Sequence, residues 1–168
     1  MLHLAYGSNL LLERIRLPER CPNARHVGIA RLDGWRLSFE KRGQDGSGKA
    51  TVLPDRNGVL HGALYDLTTD ERRRLDKVEG PGYRAHAVEV VADGSTLPAW
   101  LYLGLDLQPG LRPFRWYRDL VLTGARQHDL PASYADSIEA AATQPDPNEE
   151  RAARMRRVLE AAGFPSGH

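Results

Sequence analysis

The amino-acid sequence predicts an α+β fold built on a mostly antiparallel sheet or barrel, and three observations support this. Segments in which apolar and polar residues alternate lie before residue 105, as expected for strands. Most of the helix-like segments follow them, and strands grouped ahead of helices are typical of α+β proteins. The chain has 168 residues, which corresponds to about one domain.

The first predicted strand covers residues 2–5 and leads into a short helix over residues 10–15. The connection between them, Tyr-Gly-Ser-Asn at residues 6–9, is polar and contains a glycine. Ser8 or Asn9 is expected to cap the helix, because both side chains accept hydrogen bonds from a first helical turn. The chain is therefore predicted to start as a strand, a tight loop and a helix N-terminus.

The middle of the chain alternates between strand-like stretches and turn residues. The predicted strands are residues 27–30, 35–40, 50–53, 59–67, 83–91 and 97–103. A glycine-rich loop over residues 42–48 and the Asp93-Gly94 turn separate some of them. The Thr-Thr-Asp-Glu sequence at residues 68–71 predicts a capping box that opens a helix ending near Val78.

The last third of the chain has the spacing of helices. The predicted helices cover residues 113–126, 131–142 and 148–162. In the last of these, one apolar face is formed by Ala152, Met155, Val158, Leu159 and Ala162. We expect one domain over residues 1–143 and a C-terminal helical extension, residues 144–168, packed on that same domain.

Composition excludes several functional classes. With 23 basic and 22 acidic residues, the net charge of +1 does not favour nucleic acid or an anionic membrane as a partner. The single cysteine rules out an internal disulfide framework and a cysteine-based zinc site. The histidines show no metal-ligand spacing, so we expect no metal. No apolar run has the ~18 residues of a membrane span, and no signal peptide is recognisable, so a cytoplasmic location is expected.

The segment at residues 43–49 matches part of a phosphate-binding loop. It reads Gly-Gln-Asp-Gly-Ser-Gly-Lys, but Ala50 stands where a magnesium-binding Ser or Thr is needed. Pro54 would also break the helix that must follow such a loop. A flexible hairpin loop is the better interpretation.

Two further segments suggest chemistry. Gly7 lets backbone approach a ligand closely, and a helix that starts just after it would direct N–H groups at a carboxylate or an oxyanion. Glu79 lies at the end of a predicted helix, just before a glycine, where a fixed carboxylate could act as a general base. Taken singly, each segment is explained better by its structural alternative, a capped turn for the loop and a surface glutamate for Glu79.

In combination these residues resemble the γ-glutamylcyclotransferase family. The family's Tyr-Gly-Ser-Asn-Leu loop is similar to residues 6–10, and its Leu-Asp-x-x-Glu-Gly segment to residues 75–80. A late Leu-Val-x-x-Gly-Ala and Leu-Pro-x-x-Tyr pattern is similar to residues 120–125 and 130–134. Each motif alone is weak, but three in the family's order are fairly specific.

The resemblance implies a small, mixed or antiparallel β-barrel flanked by α-helices, and a cofactor-free enzyme. The implied reaction converts γ-glutamyl amino acids or γ-glutamyl amines to 5-oxoproline and a free amine, with Glu79 as the general base. The implied substrate-binding residues are His3, Leu4, Ala5, Tyr6, Gly7, Ser8, Asn9 and Tyr134. A monomer or homodimer is expected, and the alternative function is a non-catalytic ligand-binding or interaction module of the same fold.

Overall fold

The computed structural model describes residues 1–165 and shows five strands that close into a barrel. The strands are β1 (Leu2–Ala5), β2 (Arg25–Arg42), β3 (Gly48–Asp66), β4 (Tyr83–Ala92) and β5 (Ser95–Gly104). Their order around the barrel is β1-β3-β2-β4-β5. All pairs are antiparallel except β1 with β5, which is parallel and closes the barrel. The predicted α+β fold with a small mixed barrel is confirmed.

Five α-helices surround the barrel. They are α1 (Leu12–Ile15), α2 (Thr69–Glu79), α3 (Arg115–Gln127), α4 (Ala132–Glu139) and α5 (Glu149–Ala161). The predicted capping box is present: the Thr68 side chain accepts from the Glu71 backbone N–H, and the Glu71 side chain accepts from the Thr68 backbone. The predicted cap at Ser8 or Asn9 is wrong. Those residues form a short 3-10 turn, and α1 begins after Leu11 without a side-chain cap.

Two pairs of predicted strands are each one long strand in the structure. Residues 27–30 and 35–40 both belong to β2, and residues 50–53 and 59–67 both belong to β3. The pairing register shifts between Asp33 and Trp35, and β2 and β3 continue past this irregularity. Such bulges bend a strand without ending it. The bend lets two long strands wrap around the barrel.

Residues 43–49, which match part of a phosphate-binding loop in sequence, lie at the hairpin between β2 and β3 in the structure. Asp45 ties the turn together, since its carboxylate accepts from the Ser47 backbone N–H and hydroxyl and from Lys49 Nζ at 2.8 Å. A strand and not a helix follows Lys49. The hairpin interpretation is therefore confirmed.

Helix α3 supports the loop that follows β1. Nine of its residues are buried, and Gly124 lies against the backbone of that loop. A Cβ at Gly124 would come within 2.6 Å of the Leu11 nitrogen and 2.8 Å of the Leu10 carbonyl carbon. Close packing of this kind requires glycine, and it fixes the loop between the barrel and the helix.

Helix α5 packs on the rest of the molecule through its apolar face. Ala152, Met155 and Leu159 are buried, and Arg14 Nη1 lies 3.4 Å from Met155 Sδ. The segment ahead of the helix is anchored as well, because Asp146 accepts from Trp116 Nε1 at 2.8 Å and pairs with Arg151. The last three residues of the predicted extension, 166–168, lie outside the described residues.

Candidate functional site

One mouth of the barrel holds a narrow cavity of about 30 Å³ that contains both segments singled out by the sequence. Residues 3–9 form one wall, and Glu79 faces them from the end of α2. The remaining lining residues are Ala50, Tyr83, Tyr102 and Tyr117. Ser8, Glu79, Tyr83 and Tyr117 also line an adjoining groove of about 1000 Å³. The structure thus brings Glu79 together with residues 6–9, the loop that follows β1 and is called the first loop below. The roles that the resemblance implied for these residues require this proximity.

The first loop leaves β1 and turns sharply at Gly7. A Cβ on Gly7 would lie 3.0 Å from Ala50 Cβ and 3.6 Å from the Tyr117 hydroxyl, so the backbone here is pressed against the cavity wall. Ser8–Leu10 then form the 3-10 turn, and the first N–H groups of such a turn have no partner within it. These groups are suited to bind a carboxylate or a polarised carbonyl oxygen.

Glu79 is held in place through one of its two carboxylate oxygens. Its Oε1 accepts from Asn9 Nδ2 at 2.8 Å and from Arg20 Nη1 at 3.1 Å. Arg20 Nη1 also donates to Asn9 Oδ1 at 2.8 Å, which closes a three-residue network. No hydrogen bond to Glu79 Oε2 is present within residues 1–165, so this oxygen remains able to accept a proton.

The position of Glu79 depends on the glycine that follows it. Gly80 ends α2 with a φ of 68°, and its N–H bonds to the Asp76 carbonyl. That left-handed conformation favours glycine. The side chains of Arg20 and Glu79 are only 10% and 17% exposed, so their attraction is weakly screened by solvent. The side chain of Glu79 is therefore held in a fixed position at the cavity edge.

Tyrosines build much of the remaining wall. Tyr83 donates its hydroxyl hydrogen to the Ala50 carbonyl at 2.9 Å, and the Tyr117 hydroxyl accepts from the Ala50 N–H at 3.1 Å. Tyr6 donates to the Tyr102 carbonyl, and Tyr102 donates to Asp76 Oδ1 at 2.5 Å. Burial raises the pKa of each of these four phenols. They are neutral near pH 7, and Glu79 has the one carboxyl group among the residues that line the cavity.

His3 lines the cavity and packs against the ring of Trp100. Its imidazole stacks on Trp100 with ring centroids 4.3 Å apart, and Nδ1 lies 3.3 Å from the Trp100 carbonyl oxygen. Burial lowers the pKa of His3 to about 3. His3 is therefore uncharged at neutral pH and acts as a packing group.

Tyr134 stands apart from the other predicted site residues. It lies on α4, and its ring packs against His61 of β3 with ring centroids 5.0 Å apart. Tyr134 lines neither the cavity nor the adjoining groove. A contact between its hydroxyl and a substrate stays a prediction.

Sequence reasoning missed several residues that the structure places at the site. Tyr83 had a partial signal, because the family's catalytic segment precedes a tyrosine-bearing strand. Arg20, Tyr102 and Tyr117 had none, since each is distant in sequence from the group it contacts. Arg20 reaches Glu79 across 59 residues and Tyr117 reaches Ala50 across 67.

Other kinds of site receive no support in the described part of the chain. Within residues 1–165 no group of three or more His, Cys, Asp or Glu side chains is placed to hold a metal ion. No helix there is long and apolar enough to cross a membrane. Cys21 is buried, and burial raises the pKa of its thiol to about 12, which makes it a poor nucleophile.

Comparison with known proteins points in the same direction as the site. Residues 59–138 match the AIG2-like family. The γ-glutamylcyclotransferase of Homo sapiens is 28% identical over 148 residues, covering 83% of this chain and 77% of the human protein. That of Mus musculus is 28% identical over 157 residues, covering 88% of this chain and 80% of the mouse protein.

Solved structures show the same relationship. A structure of a γ-glutamyl cyclotransferase superposes with a TM-score of 0.82 at 27% identity, covering 93% of this chain and 98% of that one. YkqA of Bacillus subtilis superposes with a TM-score of 0.71 at 22% identity, covering 86% of this chain and 56% of YkqA, and shares the fold.

Proposed function

We propose that the chain is an enzyme of the γ-glutamylcyclotransferase family and that it converts γ-glutamyl amino acids or γ-glutamyl amines to 5-oxoproline and a free amine, with Glu79 as the general base. The observation that carries the proposal is the free Oε2 of Glu79, at the edge of a cavity whose opposite wall is the first loop.

The substrate brings its own nucleophile, because the α-nitrogen of a γ-glutamyl group can close a five-membered ring onto the γ-carbon. At neutral pH this nitrogen is an ammonium and cannot attack. Glu79 Oε2 accepts one of its protons, and the free amine then forms the new C–N bond. A nucleotide or metal is not needed for this step.

Collapse of the resulting tetrahedral intermediate breaks the bond to the leaving nitrogen. Glu79 returns its proton to that nitrogen, and a second proton follows from the ring nitrogen, so that the product amine departs as an ammonium and 5-oxoproline retains one N–H. Water is neither consumed nor released. Backbone N–H groups near Gly7 and Ser8 would hold the α-carboxylate or the carbonyl oxygen while negative charge builds.

Holding the substrate in a reactive conformation should further accelerate ring closure. The attacking nitrogen and the γ-carbon belong to one molecule, and the cavity together with the adjoining groove would hold them in the folded conformation that ring closure needs. Effective-molarity gains of this kind reach ~7–11 kcal/mol. Tyr83 and Tyr117 hydrogen-bond to the backbone of Ala50, and Gly7 packs against Ala50, so this wall of the cavity is held in place.

The proposal is tested by incubating the protein with γ-glutamyl-alanine, ε-(γ-glutamyl)lysine and glutathione and measuring 5-oxoproline. Release from at least one substrate by the wild type, and its loss in Glu79→Gln, is the expected result. Release from none of a broad γ-glutamyl panel would contradict the proposal and favour the non-catalytic binding module.

A further inference from the structure

The groove beside the cavity is unusually basic. Seven basic and three acidic side chains line it, although the whole chain has a net charge of only +1. Because the groove shares Ser8, Glu79, Tyr83 and Tyr117 with the cavity, a substrate that reacts beside Glu79 can extend into it. A concave, positively charged surface of this kind concentrates anions.

Several of these cations already have partners inside the protein. Arg20 pairs with Glu79, Lys49 with Asp45 at 2.8 Å, and Arg151 with Asp146. Their charges are compensated, so they do not require a ligand.

Lys41 is the exception that matters, because it is both buried and unpaired. It is 7% exposed, and within the described chain no carboxylate lies within 4.0 Å of its Nζ. Its ammonium instead lies 4.6 Å from the centre of the Tyr83 ring. Burial lowers the pKa of Lys41, and the carboxylates of Glu79, Asp106 and Asp45 offset this only in part. A buried charge without a counter-ion is costly.

The Lys41 side chain occupies space that two neighbouring glycines leave open. A Cβ on Gly104 would lie 2.5 Å from Lys41 Cγ, and a Cβ on Gly82 would lie 2.6 Å from Lys41 Nζ. Gly82 ends the short 3-10 turn that starts directly after Glu79. The ammonium is therefore lodged beside the segment that carries the proposed base, in space that any larger residue would fill.

Arg14 adds a second cation to the same groove. Its Nη1 contacts only the Met155 sulfur, at 3.4 Å, and its Nε is buried with no hydrogen-bond partner among residues 1–165. Arg14 forms no ion pair with any carboxylate in that part of the chain. Lys41 and Arg14 are thus the two groove cations that are at least partly buried and form no ion pair among the described residues, since Arg42 and Lys77 are exposed.

We propose that Lys41, supported by Arg14, binds the side-chain carboxylate of an acidic leaving amino acid, in addition to the α-carboxylate that every γ-glutamyl amino acid carries, so that the enzyme prefers γ-glutamyl amino acids with an acidic side chain over neutral ones and over γ-glutamyl amines. This rests on the proposed function, because it places the leaving group in the groove beside Glu79. An anion there supplies the counter-charge that Lys41 lacks, and a cationic amine would be repelled.

The matched pair γ-glutamyl-glutamate and γ-glutamyl-glutamine tests the proposal, because the two differ by one carboxylate and have nearly the same shape. Values of kcat/KM come from 5-oxoproline release. We expect the acidic substrate to be favoured by about 10- to 150-fold, the range for a hydrogen bond to a charged group. Equal values in the wild type would overturn the proposal without any variant.

Lys41→Met keeps most of the aliphatic stem and removes the charge, and it should bring the ratio of the two kcat/KM values close to one. Lys77→Met is the matched control: it removes an exposed charge from the groove rim and should change the ratio by less than about twofold. Thermal unfolding verifies that both variants are folded. A ratio that persists in Lys41→Met would overturn the assignment.

Gly82→Ala provides a second route should Lys41→Met fail to fold. The added methyl group must displace the flexible end of Lys41, and a fall in the same ratio is expected, whereas an unchanged ratio would contradict the role of Lys41. If no substrate yields 5-oxoproline, the proposed function has failed. In that case calorimetry measures the affinities of the protein for γ-glutamyl-glutamate and γ-glutamyl-glutamine. Tighter binding of the acidic peptide would support the role of Lys41, and equal affinities would overturn it.

Discussion

Replacement of Glu79 by Gln isolates the proton-accepting role of this residue. The amide oxygen of Gln can keep the position of Oε1 and accept from Asn9 Nδ2 and Arg20 Nη1, which now bond at 2.8 and 3.1 Å. The amide nitrogen replaces Oε2 and cannot accept a proton. Geometry is retained while the base is lost, so kcat should fall by the ~10²–10⁴-fold that general-base removal costs.

The same substitution should also lower the free energy of unfolding. A neutral Gln leaves the Arg20 guanidinium, whose side chain is 10% exposed, without a counter-charge. Because the hydrogen bonds to the amide oxygen persist, the loss should be on the order of 1–3 kcal/mol, below that of deleting a buried partner outright. A glutamate at a helix C-terminus would by itself predict little change or a gain, and the contact with Arg20 reverses that sign.

The assay compares 5-oxoproline release by wild type, Glu79→Gln and the control Glu89→Gln, which changes an exposed glutamate on β4. Urea unfolding of each protein at the assay temperature verifies that all three are folded there. Glu89→Gln should match the wild type. If folded Glu79→Gln retains more than about a tenth of wild-type turnover, Glu79 is not the base.

Three further predictions follow from the packing of single side chains. Tyr134→Phe distinguishes the two roles of this residue: the substrate contact that the resemblance implies predicts a loss of about tenfold or more in steady-state kinetics, whereas packing alone, as for a ring that lines neither the cavity nor the groove, predicts kcat and KM within about twofold of the wild type. Leu159→Ala should lower the free energy of unfolding by about 2–5 kcal/mol in one cooperative urea transition, since Leu159 is 3% exposed; a separate transition would show that α5 is an independent unit. Burial lowers the pKa of His3 from 6.5 to about 3, so as the pH falls the unfolded chain takes up a proton at His3 before the folded protein does. The free energy of unfolding should therefore decrease as the pH is lowered from 6.5 to about 3, by at most about 1.4 kcal/mol per pH unit. Urea titrations across that range should show a shallower slope in His3→Gln, and an identical slope would refute the assignment.

The sequence by itself determined the parts of this protein that obey local rules. The capping box at Thr68 and Glu71, the Asp93-Gly94 turn and the strand and helix types all follow from the conformational preferences of neighbouring residues. Gly7 and Glu79 could be singled out as candidates from a few neighbouring residues, a glycine loop after a strand and a carboxylate before a glycine, but only the three family-like motifs together favoured a functional site there.

Tertiary structure alone decided how these pieces meet. Asn9 was expected to cap a helix, yet its side chain bonds to Glu79, 70 residues away. Local sequence cannot show this, because the choice between a cap and a distant carboxylate depends on where the barrel brings α2. The unpaired state of Lys41 is likewise invisible in a sequence of nearly balanced charge. Whether a cation has a partner depends on distances in space, and closure of the barrel fixes those distances.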